Sequence, residues 1–410
     1  MKRRLLPILM TLVLVCALPI WAAFVTSGDV TNPLVSTAWA DPIEGTFTQV
    51  TDETTLKAAV EKGESVILMQ DIEISSRLEV KQSLTLDLNG YVLKMSGTGG
   101  VIRIKKYAEY AVVEVEIKDG MPGRVHTGGY AALPAGGVIT GGKADKGGGI
   151  LLGGGCTLKL TGGCITACHA TDTGGGGVVL NGDTAILYMS GTARIENCTA
   201  GEMWGANAIF NYGTMYADGG TVDGTVNNQG TIKHSNGVTA VTVFNEAVYN
   251  RAGNSIEAGI YKGTVENTGT ITGGTFCGGV TDDGGTIGDG AYETVKFNSD
   301  NGAQAKEEKV LRGQKVPNPA APTKSGHTFT GWYLGDEKYN FDTPVIAPLT
   351  LTARWEEVPS SGGYYYYPTT DTKADDAKGS PKTADPGVAL YAALSLLSLT
   401  ALTCTGRKKF

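Results

Sequence analysis

The chain contains Ile139-Thr-Gly-Gly-Lys-Ala144 followed by Gly147-Gly-Gly-Ile150, and it repeats this pattern twice. The second copy is Ile165-Thr-Ala-Cys-His-Ala170 with Gly175-Gly-Gly-Val178. The third is Ile195-Glu-Asn-Cys-Thr-Ala200 with Gly205-Ala-Asn-Ala208. Self-similarity at a period of about 20–50 residues is typical of a stacked solenoid. We therefore expect Ile139, Ile165 and Ile195 to lie above one another along one axis.

Downstream the repeating unit becomes shorter and an asparagine marks it. The copies are Asn211-Tyr-Gly-Thr214, Asn228-Gln-Gly-Thr231 and Asn267-Thr-Gly-Thr270, with a degenerate copy near Asn250. Between the markers, apolar residues alternate in short bursts such as Thr157-Leu-Lys-Leu160, which predict strands, and glycines predict the corners between them. Glycine makes up 59 of the 410 residues. Units of this kind predict the coils of a parallel β-helix.

The pattern resembles the right-handed β-helix of pectin-lyase-like proteins and bacterial surface-repeat adhesins. The expected fold class is therefore all-β, with a right-handed parallel β-helix over residues 41–292. Asp52–Lys62 predicts a short amphipathic helix that caps the open end of the solenoid, where an uncovered edge strand would recruit other chains. The weakly patterned residues 118–134 predict a loop insertion.

Residues 293–357 form a separate unit that resembles the Listeria–Bacteroides (internalin B-type) repeat. The matching positions are Val295-Lys-Phe297, Gly313-Gln-Lys-Val316, Pro319, Pro322, Gly326, Phe329-Thr-Gly-Trp-Tyr333, Phe341 and Leu349–Trp355. The resemblance implies a small β-grasp-like module of four strands around one helix or loop. Its core would come from Phe329, Trp332, Phe341 and Trp355, since a unit of about sixty residues needs large aromatics to bury enough area.

The C-terminal part carries a short motif, an apolar segment and a basic tip in that order. Ser380-Pro381-Lys382-Thr383-Ala384 precedes a hydrophobic helix predicted over residues 388–404, and Arg407-Lys408-Lys409 follows. This arrangement resembles the cell-wall sorting signal of sortase substrates, with Ser380 and Ala384 where Leu and Gly are usual. The resemblance implies cleavage between Thr383 and Ala384 and transfer of Thr383 to a peptidoglycan precursor. The alternative is a plain membrane anchor, which the length of the apolar segment permits. Residues 358–379 read as a disordered linker.

The N-terminal part indicates secretion. Lys2-Arg3-Arg4 precedes the apolar run Leu5–Phe24, as in a signal peptide covering residues 1–40. Cleavage is expected after Ala40, with a cut near Ser27 as the alternative. Removing the signal and residues 384–410 leaves 28 basic and 39 acidic residues, a net charge of −11. A surface this acidic is a poor partner for nucleic acid, and membrane contact is expected only through the signal and sorting segments.

Seven cysteines are present, and five remain after both ends are removed. Cys168 and Cys198 occupy equivalent places in consecutive repeats, so we expect them to be neighbours, either disulfide-bonded or as a ladder of thiols. A zinc site of Cys164, Cys168, His169 and Cys198 is disfavoured, because adjacent residues of a strand point to opposite faces. No metal or other cofactor is expected.

Two classes of function remain. The first is a non-catalytic surface protein whose solenoid binds a host protein or glycan, or a ligand on a neighbouring cell. The second is a wall-anchored polysaccharide lyase or glycoside hydrolase that uses two carboxylates on one face. The carboxylates available for it are Asp172, Asp183, Glu196, Asp218 and Asp223. The four histidines lie far apart in the sequence, and no serine lies in a nucleophile elbow, so display is favoured over catalysis.

Overall fold

A computed structural model describes residues 46–107, 112–172, 174–201 and 206–359. It contains one α-helix, α1, over Glu53–Glu61. The strands are β1 Thr48–Val50, β2 Val66–Leu68, β3 Ile72–Ile74, β4 Leu78–Val80, β5 Leu84–Asp87, β6 Val92–Met95, β7 Ile102–Ile104, β8 Val113–Lys118, β9 Val138–Thr140, β10 Lys143–Ala144, β11 Ile150–Gly153, β12 Cys156–Leu160, β13 Cys164–Thr166, β14 His169–Ala170, β15 Val178–Asn181, β16 Ile186–Glu196, β17 Thr199–Ala200, β18 Ile209–Asn211, β19 Thr214–Asp223, β20 Val226–Asn228, β21 Thr231–Lys233, β22 Val243–Phe244, β23 Val248–Asn250, β24 Ser255–Ile256, β25 Ile260–Tyr261, β26 Val265–Asn267, β27 Thr270–Ile271, β28 Thr275–Phe276, β29 Val280–Asp282, β30 Thr286–Ile287, β31 Tyr292–Asn298, β32 Lys306–Leu311, β33 His327–Leu334, β34 Glu337–Lys338 and β35 Leu349–Glu357.

Strands β1–β30 pair only in parallel and form a β-helix with three main faces. Face 1 runs β1-β2-β5-β8-β12-β16-β19-β21-β24-β27-β30. Face 2 runs β3-β6-β9-β13-β16-β19-β22-β25-β28, and the long strands β16 and β19 belong to both. Face 3 is the nine-stranded sheet from β4 to β29. A fourth, three-stranded sheet of β10, β14 and β17 lies at one corner.

The predicted stacking of the repeats is confirmed. Ile139 is the register partner of Ile165, and Ile165 is the partner of Ile195. All three side chains are fully buried. Apolar residues alternate along each strand, so one set points inward and stacks on the equivalent set of the next coil. Burial of this continuous aliphatic column is the main favourable term in the stability of the solenoid.

The corner after each of these isoleucines repeats one backbone conformation. Gly141, Ala167 and Asn197 are equivalent, and their φ angles of 79°, 50° and 50° all lie in the left-handed region. Glycine and asparagine tolerate this conformation, whereas alanine pays a steric penalty. The stacking of the coils therefore imposes the same left-handed corner on three different residue types.

The coils differ in length because loops are inserted at the corners. From Ser255 to its partner Thr270 the chain advances 15 residues, whereas from Val113 to its partner Cys156 it advances 43. The long coil contains the insertion between β8 and β9, as the weak patterning of that segment predicts. Tyr130 and Leu133 of the insertion pack on a small external cluster of Val92, Val138 and Cys164.

Both ends of the solenoid are covered. At the N-terminal end, α1 buries Leu56, Ala59 and Val60 against the first coils. Asp52 caps this helix, accepting a hydrogen bond from the backbone N–H of Thr55 at 2.9 Å, as its acidic start predicts. The cap hides edge strands that would otherwise pair with other chains.

At the C-terminal end the five-stranded module β31–β35 follows, in the order β32-β31-β35-β33-β34. A loop rather than a helix joins β32 to β33. Trp332 is buried with Phe297, and Phe329, Phe341 and Trp355 pack around them half-buried. The module also bonds to the last solenoid coils: the N–H of Phe276 donates to the carbonyl of Arg312 at 2.7 Å.

Candidate binding surface

The outward side of face 1 presents a column of small hydroxylated side chains. Thr214, Thr231, Ser255, Thr270 and Thr286 are consecutive register partners, one per coil. Strand spacing in a sheet places successive members about 4.8 Å apart. Hydroxyls at a fixed spacing offer both donors and acceptors to a ligand that repeats along the same axis.

Two residues away, a second column of face 1 carries aromatic and cationic groups. Tyr188 and Tyr216 stack with ring centroids 4.3 Å apart and planes inclined by 7°. Lys233 Nζ lies 5.0 Å from the centroid of the Tyr216 ring, and Lys159 is the register partner of Tyr188 on the preceding coil. Burial and the neighbouring Tyr216 raise the pKa of Tyr188 to about 12. Because neighbours cover the ring faces, this column presents edges and hydroxyls to solvent, and it provides no open platform for stacking a sugar.

Cys168 and Cys198 lie directly above one another at the corner beside face 2. Their flanking residues pair in register, Thr166 with Glu196 and His169 with Thr199. Both thiols are free and buried. Sγ of Cys168 lies 3.4 Å from the carbonyl oxygen of Thr166, and Sγ of Cys198 lies 3.7 Å from the carbonyl oxygen of Ile165. The neighbouring Cys168 lowers the pKa of Cys198, whereas the neighbouring Cys198 and burial raise the pKa of Cys168 well above its ordinary value.

The five candidate carboxylates do not come together at one point. Glu196 and Asp223 are register partners on neighbouring coils of face 2, so they are the pair that the fold brings side by side. Glu196 also lies 3.8 Å from the guanidinium of Arg194. Asp172 and Asp183 are exposed in separate turns. Adjacent carboxylates of this kind arise readily on an acidic solenoid, so the pair alone does not define a catalytic centre.

Asp218 forms a different cluster, which sequence reasoning missed. Its buried carboxylate lies 3.2 Å from Nδ1 of His234, and it accepts hydrogen bonds from the hydroxyl and the backbone N–H of Ser235 at 2.6 and 2.9 Å. The Ser235 hydroxyl thus donates its hydrogen bond to the Asp218 carboxylate and not to the His234 imidazole, so His234 is not placed to act as a base on this hydroxyl. The arrangement fastens the loop after β21 to the solenoid, and it differs from a Ser-His-Asp triad.

The other histidines have structural contacts. His126 Nε2 lies 2.8 Å from the carbonyl of Gly136, and His169 Nδ1 lies 2.8 Å from the hydroxyl of Thr199. His327 Nδ1 lies 2.8 Å from the carbonyl of Ser325. Within residues 46–359, apart from the short gaps, no three His, Cys, Asp or Glu side chains meet in a group that could hold a metal ion.

The predicted processing sites fall outside the described ranges. These are Ala40 of the signal peptide and Ser380, Pro381, Lys382, Thr383 and Ala384 of the sorting motif. Residues 360–379 of the predicted linker and the apolar segment 388–404 also lie outside these ranges. Among the residues that are described, α1 spans nine residues, and no helix has the length and apolar character needed to cross a bilayer.

The geometry defines an elongated, two-end-capped parallel β-helix joined to a small β module. Residues 294–354 match the Listeria–Bacteroides repeat domain, so the chain contains such a domain, as its aromatic pattern predicts. Two proteins of Evansella cellulosilytica are 37% and 36% identical over 67 residues, which is 15% of this chain. Both relatives are named as membrane proteins, and the name of the first also calls it glycine-rich. The matched region spans only 8% and 10% of their lengths. No solved structure matches the chain.

Proposed function

We propose that the chain is a secreted surface protein of a Gram-positive bacterium, joined covalently to the cell wall through Thr383, whose solenoid binds ligands on a host or a neighbouring cell. The observation that carries the proposal is the order of the C-terminal elements: motif, apolar segment, basic tip. The names of the two relatives agree with a location in the cell envelope.

The β-helix and the module β31–β35 together form the head of the protein, and their geometry supports a display role. Helix α1 caps the N-terminal end of the solenoid and the module contacts its last coils, so the sides of the solenoid remain available for contact. The hydroxyl column from Thr214 to Thr286 gives one side a regular polar surface. Regular polar columns favour repeated weak contacts with a long ligand, and those contacts add up through multivalency.

A polysaccharide-active enzyme is the second candidate, and the stacked Glu196 and Asp223 favour it. An acid and a base of a glycosidase lie roughly 5–10 Å apart. Glu196 also forms an ion pair with Arg194 at 3.8 Å, and the candidate carboxylates Asp172 and Asp183 lie in separate turns away from the pair. We therefore rank binding above catalysis.

Cell fractionation tests the anchoring. We expect the wild-type protein to resist detergent extraction and to leave the wall only after peptidoglycan is digested. Thr383→Ala removes the residue that would form the new bond and should shift the protein to the membrane and the medium. Lys382→Ala, at the variable position of the motif, should behave like the wild type. Detergent-resistant attachment of the Thr383→Ala variant would contradict the proposal.

A glycan array with product detection separates binding from catalysis. Retention of glycans without released sugars supports the display role. Release of unsaturated or reducing sugars by the wild type, abolished in Glu196→Gln and in Asp223→Asn, would establish the enzyme instead.

A further inference from the structure

Several lysine and arginine side chains lie close together at one corner of the solenoid, although the whole chain has a net charge of −7. Arg103, Lys105 and Lys106 line a groove beside the end of β7, and its opposite wall is Gly153 and Gly154 of the next coil. Lys106 is exposed and Lys105 is half-buried, so both side chains lie at the surface of the solenoid. A basic groove on an acidic head is a local reversal of charge.

Stacking of the coils concentrates this charge. Val80 and Ile104 are register partners, so Lys81 and Lys105, which follow them, lie on neighbouring coils. The backbone N–H of Lys105 donates to the carbonyl of Val80 at 3.0 Å. Nζ of Lys81 and Nζ of Lys105 lie 5.4 and 5.2 Å from the centroid of the Tyr107 ring. The positive charges therefore extend along the solenoid axis.

Among the residues that the structure describes, little acidic charge compensates these groups. Arg103 Nη1 lies 3.9 Å from Oε1 of Glu79, which is a weak contact. In the part of the chain that the structure describes, Lys81, Lys105 and Lys106 have no ion pair. Like charges held close together repel one another, and a bound anion would relieve that repulsion.

The opposite wall leaves room for a ligand. Gly153 and Gly154 bring only backbone to the groove, and the exposed amide of Asn181 lies beyond them on the following coil. Three of the four cations are lysines, whose ammonium groups act as point charges and bind phosphate-like oxyanions without fixed orientation. Asn181 adds a hydrogen-bonding group suited to sugar hydroxyls.

We propose that this groove binds the phosphate or sulfate groups of a polysaccharide. The inference rests on the proposed display function and names the class of ligand that the head takes. A polymer fits better than a single ion, because the cations come from two successive coils and Asn181 continues the track on a later coil.

The test uses the full chain and two immobilised probes, heparin for sulfate and poly(glycerol phosphate) for phosphate, in 50 and 200 mM NaCl. We expect binding to at least one probe, weakening with salt as counterion release requires. The double variant Lys105→Gln/Lys106→Gln should bind at least tenfold more weakly. The matched variant Lys262→Gln/Lys306→Gln removes two exposed lysines that form no ion pair within the described ranges, and it should change binding less than twofold.

Several results would overturn the inference: no binding of the wild type to either probe, equal loss in both double variants, or equally tight binding of hyaluronan, which carries carboxylates only. Equal affinity for an oligonucleotide would also count against it, because any polyanion would then suffice. If the wild-type protein is wall-anchored and adheres to cells yet binds neither probe, the anion-binding groove is refuted and the proposed display function is not. Unchanged thermal unfolding of both variants shows that they fold.

Discussion

Nδ2 of Asn228 donates a hydrogen bond to Oδ1 of Asn250 at 2.8 Å, and both residues are fully buried. The same bond joins Asn211 to Asn228 at 2.7 Å and Asn250 to Asn267 at 2.8 Å. Asn267 then donates to the carboxylate of Asp282 at 2.6 Å. Every amide donates toward the C-terminal end, so a carboxylate is a favourable terminal acceptor. The ladder satisfies polar groups that would be costly to bury alone.

Asn228→Ala breaks this ladder in the middle. The Oδ1 atom of Asn250 loses its donor, and Asn211 loses one of its acceptors, inside a site that excludes water. We expect the free energy of unfolding to fall by about 3 kcal/mol, measured by urea denaturation. Asn245→Ala, at an exposed position, should change it by less than about 0.5 kcal/mol. Equal effects of the two substitutions would contradict a stabilising role for the ladder.

Ala167→Gly should stabilise the protein. Ala167 is exposed and has a φ of 50°, where its Cβ is strained and glycine is not. Relief of the strain is expected to raise the free energy of unfolding by about 1 kcal/mol. Ala303→Gly, at an exposed position without a positive φ, should lower it instead. Urea denaturation should show changes of opposite sign in the free energy of unfolding of the two variants, and destabilisation by both would refute the argument.

Gly313→Ala tests the contact between the module and the solenoid. A Cβ there would lie 2.8 Å from the backbone nitrogen of Phe276, whereas a Cβ at Gly302 would meet no atom within 4 Å. The φ angles are 93° and 89°, so both substitutions pay the same backbone penalty. We expect Gly313→Ala to destabilise by about 2 kcal/mol more than Gly302→Ala. Hydrogen exchange at the Phe276 amide should also accelerate only in Gly313→Ala.

Glu53 makes the N-terminal cap sensitive to acid. Its carboxylate accepts hydrogen bonds from Lys57 Nζ at 2.5 Å and from the N–H of Ser75 at 2.9 Å. These bonds lower its pKa from 4.5 to about 2. A lowered pKa means that the stabilisation is present above about pH 4.5 and disappears as the pH falls toward 2.

The stability difference between wild type and Glu53→Gln measures this contribution. It should be largest above pH 5 and mostly lost at pH 2, where about half of the wild-type carboxyl groups are protonated. A difference that stays constant over this range would show that the charge of Glu53 is irrelevant. Thermal unfolding of both proteins from pH 2 to pH 6 provides the measurement.

Cys168 and Cys198 should resist alkylation in the folded protein, because both thiols are buried. After unfolding in urea without reductant, iodoacetamide should modify both, as expected for a pair of thiols. Cys156, which is also free and buried, is the internal control for unfolding. Modification of Cys156 but not of Cys168 and Cys198 until a reductant is added would identify a disulfide instead.

Much of the fold could be predicted because its interactions repeat along the chain. Ile139, Ile165 and Ile195, the asparagine markers and the acidic start of α1 each follow a local pattern, and the structure places them as predicted. The Listeria–Bacteroides unit is equally recognisable, although Phe297 joins its core beside the four expected aromatics. Contacts between coils of unequal length, such as that of Asp218 with His234, could not be predicted from the sequence.

Short apolar bursts and glycine corners are enough to predict stacked coils, since only stacking buries one face of each burst. Tertiary structure alone decided which outward side chains become neighbours. Inserted loops change the length of each coil, so sequence distance does not reveal which residues share a column. The pairing of Tyr188 with Tyr216 and the gathering of Lys81, Lys105 and Lys106 both depend on that register. Outward residues such as Tyr188 and Lys105 are free of the packing constraint that makes the core periodic, so they do not recur at a regular spacing from which their neighbours could be predicted.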